Sequence, residues 1–147
     1  MIESRIEQDL KSAMLARDSD MVRTLRGVKS VFLYAKVDAG TRDKELSDDE
    51  AIRLLQKEAK KREESAALYS QGGENDRANQ EIQEKQIIEA YLPAKISEEE
   101  LTSIIEKAIR DNKEANMGQI IGQVKSQTVG SADGADIARI VKAKLDK

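Results

Sequence analysis

The chain of 147 residues has no histidine, no cysteine and no tryptophan, a single proline, and only 3% aromatic residues. Each absence removes a class of chemistry. Without cysteine there are no disulfides, thiol nucleophiles or iron–sulfur clusters, and the composition fits a reducing compartment, the cytoplasm being the expected location. Without histidine there is also no conventional zinc or haem site, no Ser-His triad, and no side chain that ordinarily titrates near neutrality. Candidate catalytic groups reduce to carboxylates, lysines such as Lys36, and Tyr34, Tyr69 and Tyr91, which their spacing places in no recognisable constellation. No catalytic residue, metal ligand or cofactor is therefore expected. The amino terminus, MIESRIEQDL, is charged throughout, and no apolar run reaches bilayer-spanning length, so a soluble, unexported protein with no membrane partner is expected.

What the chain does have is charge, at 36% of residues, arranged around periodic apolar positions. That balance favours amphipathic helices over a sandwich or barrel and predicts an all-α protein. The formal net charge of -3 supplies no global field for nucleic acid, so any such binding must come from a local patch.

Apolar residues at Ile6, Leu10 and Met14 predict a first helix ending near Arg17. A second, capped by Asp18 or Ser19, carries Met21, Leu25, Val28, Phe32 and Ala35, with Val22, Val31, Leu33 and Val37 widening the buried arc up to Gly40. Ser47 and Glu50 match a capping box and open a long third helix through Ile52, Leu55, Ala59, Ala66 and Tyr69, which Gly72-Gly73 ends. Its run of Lys57, Lys60, Lys61 and Arg62, interleaved with Glu58, Glu63 and Glu64, reads as a solvated face neutralised by pairs such as Lys60–Glu64. A fourth helix from about Asn75 to Tyr91 should fold back antiparallel on the third. Pro93 stops it and marks a boundary between an amino-terminal domain of about four helices, residues 1–93, and a small three-helix domain, residues 94–147. Ser97 and Glu100 form a second capping box, opening a fifth helix with Leu101, Ile104, Ile105, Ala108 and Ile109 inward, and its first-turn acids favour the helix dipole rather than catalysis.

The final segment is the least ordinary. Met117, Ile120, Ile121 and Val124 have helical spacing, yet Gly118 and Gly122 interrupt it, each costing about 1 kcal/mol relative to alanine. Four residues apart, they strip one helix face so that another backbone or a ligand can approach, and close helix packing is the simpler of the two readings. Gly130 can end this helix in a left-handed conformation, and Asp133 can cap a last helix carrying Ile137, Ile140, Val141 and Leu145. From Met117 onward, five Lys/Arg face three Asp/Glu, a local net of +2. Superficial matches to a phosphate-binding loop around Lys125, a calcium loop from Asp43 to Leu54 and a membrane dimerisation motif at Gly118/Gly122 all fail on spacing or polarity.

The pattern Met117-Gly-x-x-x-Gly-x-Val-x-x-x-x-x-Gly130-x-Ala132-Asp133-Gly134, with Tyr91-Leu92-Pro93 and the Ser97 box, resembles the YqeY-like family over nearly the whole chain. That family is similar to the tail of the B subunit of the glutamine-dependent amidotransferase acting on Glu-tRNA(Gln) or Asp-tRNA(Asn), a tail implicated in holding tRNA. The resemblance implies a non-catalytic accessory module associated with tRNA or with an amidotransferase or aminoacylation component. Carbon–nitrogen ligase activity with glutamine as amide donor is implied only for the relative, whose catalytic sites lie in other domains. Carried onto this sequence, the nucleic-acid contacts would be Gly118, Gly122, Lys125, Gly130 and Ser131, with Arg139, Lys142 and Lys144 nearby. Ser131 departs from the basic residue common at that position. A protein-interaction module is the competing expectation.

Overall fold

The structure, a computed structural model, describes residues 1–146. It contains seven helices: α1 (Ile2–Ala16), α2 (Ser19–Ala39), α3 (Asp48–Gln71), α4 (Asn75–Glu89), α5 (Glu98–Asp111), α6 (Met117–Gln127) and α7 (Gly134–Leu145). No strand occurs among the described residues, so the fold is all-α. The chain divides into two compact units, Met1–Leu92 and Pro93–Lys147.

In the first unit, local chemistry sets the helix ends. Asp18 accepts from the Met21 amide at 3.2 Å to start α2, and Ser47 accepts from the Glu50 amide at 3.2 Å to start α3. Gly40, at φ 71, closes α2 in the left-handed region. The helix α4 stops at Glu89, short of Tyr91, because the Tyr91 and Leu92 amides tighten onto the Ile88 and Glu89 carbonyls ahead of Pro93. Ile6, Leu10, Leu25, Val28, Phe32, Leu55 and Ile88 form its buried centre. Two residues expected in that core are outside it: Leu33 is 43% and Val37 51% exposed, because α2 turns them, with Tyr34, away from its neighbours. Tyr91 is buried; its hydroxyl donates to the Asp9 carboxylate and Arg5 stacks over its ring, tying α1 to the end of α4.

Helices α3 and α4 form an antiparallel hairpin, as the descending partners show: Glu58 and Glu84 meet at Arg62, Glu63 meets Lys85, and Tyr69 meets Arg77. Here the charged run of α3 behaves differently from its sequence reading. Glu58 is only 7% exposed and takes Arg62 at 3.0 Å and Lys61 at 3.2 Å. Glu84, 8% exposed, takes Arg23 at 3.0 Å and Arg62 at 3.4 Å. The Arg62 guanidinium lies over Gly27 of α2, 3.6 Å from where a β-carbon would stand. The Lys60–Glu64 pair does not form among the described residues; part of the supposed solvated face is an inward ionic layer joining α2, α3 and α4.

The second unit is a three-helix cluster. Leu101, Ile105 and Ala108 of α5, Ile120 and Val124 of α6, and Ile137, Ile140 and Val141 of α7 fill its core. Its apolar positions recur at three- and four-residue steps in each helix, which turns one stripe of each toward the other two.

Candidate nucleic-acid interface

The hairpin of α6 and α7 is built from local caps. Asn116 and Gln119 form a reciprocal capping box, each side chain accepting from the other's amide at 2.9 Å. At the far end the buried Thr128 hydroxyl donates to the Val124 carbonyl at 2.7 Å. The turn then depends on Gly130, buried and at φ 81, a conformation costly for any residue with a β-carbon. Asp133 accepts from the Ala135 amide at 3.0 Å and starts α7.

The two glycines inside α6 are not packed against anything. Gly118 and Gly122 are both exposed. A β-carbon on Gly122 would meet no atom within 4 Å, and one on Gly118 only Asn116 Oδ1 at 3.4 Å. Close helix packing, the simpler sequence reading, is thereby corrected: the core of the unit uses the opposite face of α6, through Ile120 and Val124. The bare strip opens to solvent.

Lys125 lies on the same strip, three residues after Gly122. Its side chain crosses the start of α7, with Cε 3.1 Å and Nζ 3.4 Å from where a β-carbon of Gly134 would stand. An ammonium is thus placed beside the first turn of a helix, where free amide hydrogens point outward and the macrodipole is positive. The ammonium and the dipole act in the same sense on an anion there, against the Asp133 cap and the Asp136 carboxylate of the same turn. Lys142 is also exposed and, like Lys125, forms no ion pair among the described residues. Eight residues beyond Gly134, it lies about 12 Å further along α7.

The other expected contacts are committed elsewhere. The Ser131 amide and hydroxyl both donate to the Thr128 carbonyl, at 2.9 and 3.1 Å, while its own carbonyl accepts from the Ile96 amide at 2.9 Å. Ser131 therefore fastens the segment before α5 to the hairpin turn. Arg139 pairs with Glu98 at 2.8 Å and Asp136 at 3.6 Å, and Lys144 with Glu106 at 3.0 Å. The structure brings Gly118, Gly122 and Lys125 onto one face of α6, whereas Gly130 is buried in the turn and Ser131, Arg139 and Lys144 are engaged by other partners. These long-range partners on α5 carry no local sequence signal. Beside the turn is a cavity of about 200 Å³ lined by Lys95, Glu98, Ser131, Asp136 and Arg139 among others. It is smaller than the ~300 Å³ at which small-molecule sites begin, and its Arg139 is already paired with Glu98 and Asp136. Among the described residues no group of acidic side chains is placed to hold a metal ion, and no helix is long and apolar enough to cross a membrane.

Comparison with known proteins supplies the relationship. Altered inheritance of mitochondria protein 41, mitochondrial, from Kluyveromyces lactis is 30% identical over 131 residues, covering 84% of this chain and 69% of the relative. The proteins of the same name from Clavispora lusitaniae and Eremothecium gossypii are each 28% identical, over 87% and 95% of this chain and 76% and 79% of their own length. The family described as Yqey-like protein matches residues 3–145. With both helical units inside that match, this chain belongs to the YqeY-like family.

Proposed function

We propose that the protein is a non-catalytic accessory module that associates with RNA, tRNA first, through the α6–α7 hairpin. In this reading the sugar–phosphate backbone approaches the strip of Gly118 and Gly122, Lys125 supplies charge beside the start of α7, and Lys142 adds a second cation further along. The observation that carries it is Gly122. A glycine within a helix costs about 1 kcal/mol, and here no protein atom occupies the space it leaves. A penalty with no internal use points to an external one. The likeness to the amidotransferase B-subunit tail supports the same class of partner, and the lack of cysteine suits a reducing compartment such as the cytoplasm. The test is a tRNA titration at several salt concentrations, comparing the wild type with Lys125→Glu.

A second reading, a protein-interaction module, has its own observation. Leu33, Tyr34 and Val37 are exposed together on the outer face of α2, Tyr34 by 72%. A stoichiometric partner captured by the full chain, resistant to nuclease and lost in Tyr34→Ala, would favour it. Carbon–nitrogen ligase activity with glutamine as amide donor belongs to the resembling amidotransferase; purified chain that hydrolyses glutamine would bring it here.

A further inference from the structure

The ionic layer between α3 and α4 has an outward consequence. The sequence interleaves cations and acids along α3 so that the run reads as neutral, but the fold buries Glu58 and engages Glu63 with Lys85, leaving Glu64 as the free acid of the run among the described residues. Glu58 turns inward to Arg62 and Lys61, and Glu63 reaches Lys85 at 3.6 Å. Arg53, Lys57 and Lys60 are left exposed, with no ion pair among the described residues. Steps of four and three residues place all three on one face. Every exposed side chain of α3 from Arg53 to Glu64 is charged. Asp49, Glu50 and Glu64 lie about a turn beyond the ends of this stripe, which limits it to three cations.

We infer that Arg53, Lys57 and Lys60 of α3 form a second nucleic-acid contact, which grips the phosphate backbone of an RNA without reading its sequence. From Arg53 to Lys60 the helix rises about 10 Å, the axial length of roughly three phosphates along one strand. The three side chains are long, flexible and unpaired, so each can release a counterion on meeting a phosphate. An anionic membrane is the weaker match. Surface-lying helices insert apolar side chains between charged ones, and this stretch offers none. The contact lies on the amino-terminal unit and does not depend on the hairpin strip.

The test uses the full chain and a fluorescein-labelled, unmodified tRNA transcript, followed by anisotropy between 50 and 200 mM salt. Three phosphate contacts account for a roughly 20- to 40-fold fall in affinity over that range. The triple variant Arg53→Gln/Lys57→Gln/Lys60→Gln, which keeps helix-forming side chains, is expected to lose that share of the salt dependence while retaining the wild-type Tm. Lys125→Glu, measured in parallel, separates the two contacts. Loss in the triple variant but not in Lys125→Glu upholds the α3 contact and removes the hairpin reading. Loss in Lys125→Glu alone overturns the α3 contact and leaves the hairpin reading standing. An unchanged tRNA slope with loss of binding to phosphatidylserine vesicles also overturns it, as does a wild-type chain that does not bind the transcript at micromolar protein.

Discussion

Lys125 lies across Gly134, its Cε 3.1 Å from where a β-carbon on that glycine would sit. The contact rests the end of the exposed Lys125 side chain at the start of α7, where a β-carbon on residue 134 would displace it by a few tenths of an ångström. Gly134→Ala should push the end of the Lys125 side chain aside while leaving α7 intact, since alanine is the better helix former. The expected outcome is a severalfold loss of tRNA affinity with an unchanged or slightly raised Tm. A fall in Tm of several degrees would show that the glycine serves packing instead.

Gly122 and Gly130 should respond oppositely to the same substitution. Gly122→Ala fills open space in a helix and is expected to stabilise by about 0.5–1 kcal/mol while weakening RNA binding. Gly130→Ala forces a β-carbon into a buried residue at φ 81 and is expected to destabilise by about 1–2 kcal/mol. Denaturant midpoints of the two variants check both signs.

The ionic layer of the amino-terminal unit should be intolerant of losing one partner. Glu84→Leu removes the carboxylate that Arg23 and Arg62 share; Arg23 keeps Asp20 and Arg62 keeps Glu58, so the cost is that of the lost charge-assisted contacts, about 2 kcal/mol. In a unit of this size that lowers Tm by on the order of 10 °C. A thermal melt unchanged from wild type would mean that the layer is solvated and loosely held.

Tyr91 predicts an alkaline effect. Burial, then the hydrogen bond and charge of Asp9, hold its phenol above the ordinary value of 10.0. The unfolded chain therefore releases this proton before the folded one does. The stabilisation is complete below pH 10 and is lost progressively as pH rises above it. Tyr91→Phe should cost about 1 kcal/mol at neutral pH, through the lost hydrogen bond to Asp9, and should show a shallower decline above pH 10. Equal alkaline slopes for the two proteins would contradict this assignment.

Much of the fold is legible from local rules. Ser47, Ser97, Asp18 and Asp133 announce helix starts by chemistry that acts within three residues, and each caps where its sequence context suggests. What periodicity misses is charge used as core. Glu58 and Arg62 look like surface residues because hydrophobic patterning counts apolar side chains only, and their partners Glu84 and Arg23 are distant in sequence. The same blindness affects the candidate interface. Lys125 and Arg139 look equivalent as cations, yet Glu98, forty-one residues away, engages Arg139 and leaves Lys125 unpaired. The turn signal predicts a left-handed Gly130, found at φ 81, although α6 itself ends earlier, at a Thr128 cap; the exposure of Gly118 and Gly122 depends on which face of α6 packs on its neighbours.

The measurement that bears most directly on the hairpin reading is the affinity of the full chain for tRNA as a function of salt, wild type against Lys125→Glu. Reversing one contacting charge should cut the affinity at least tenfold at 50 mM salt and lower the slope of log affinity against log salt by about 1. Identical affinity and slope for both proteins would contradict the assignment of the α6–α7 strip as an RNA contact.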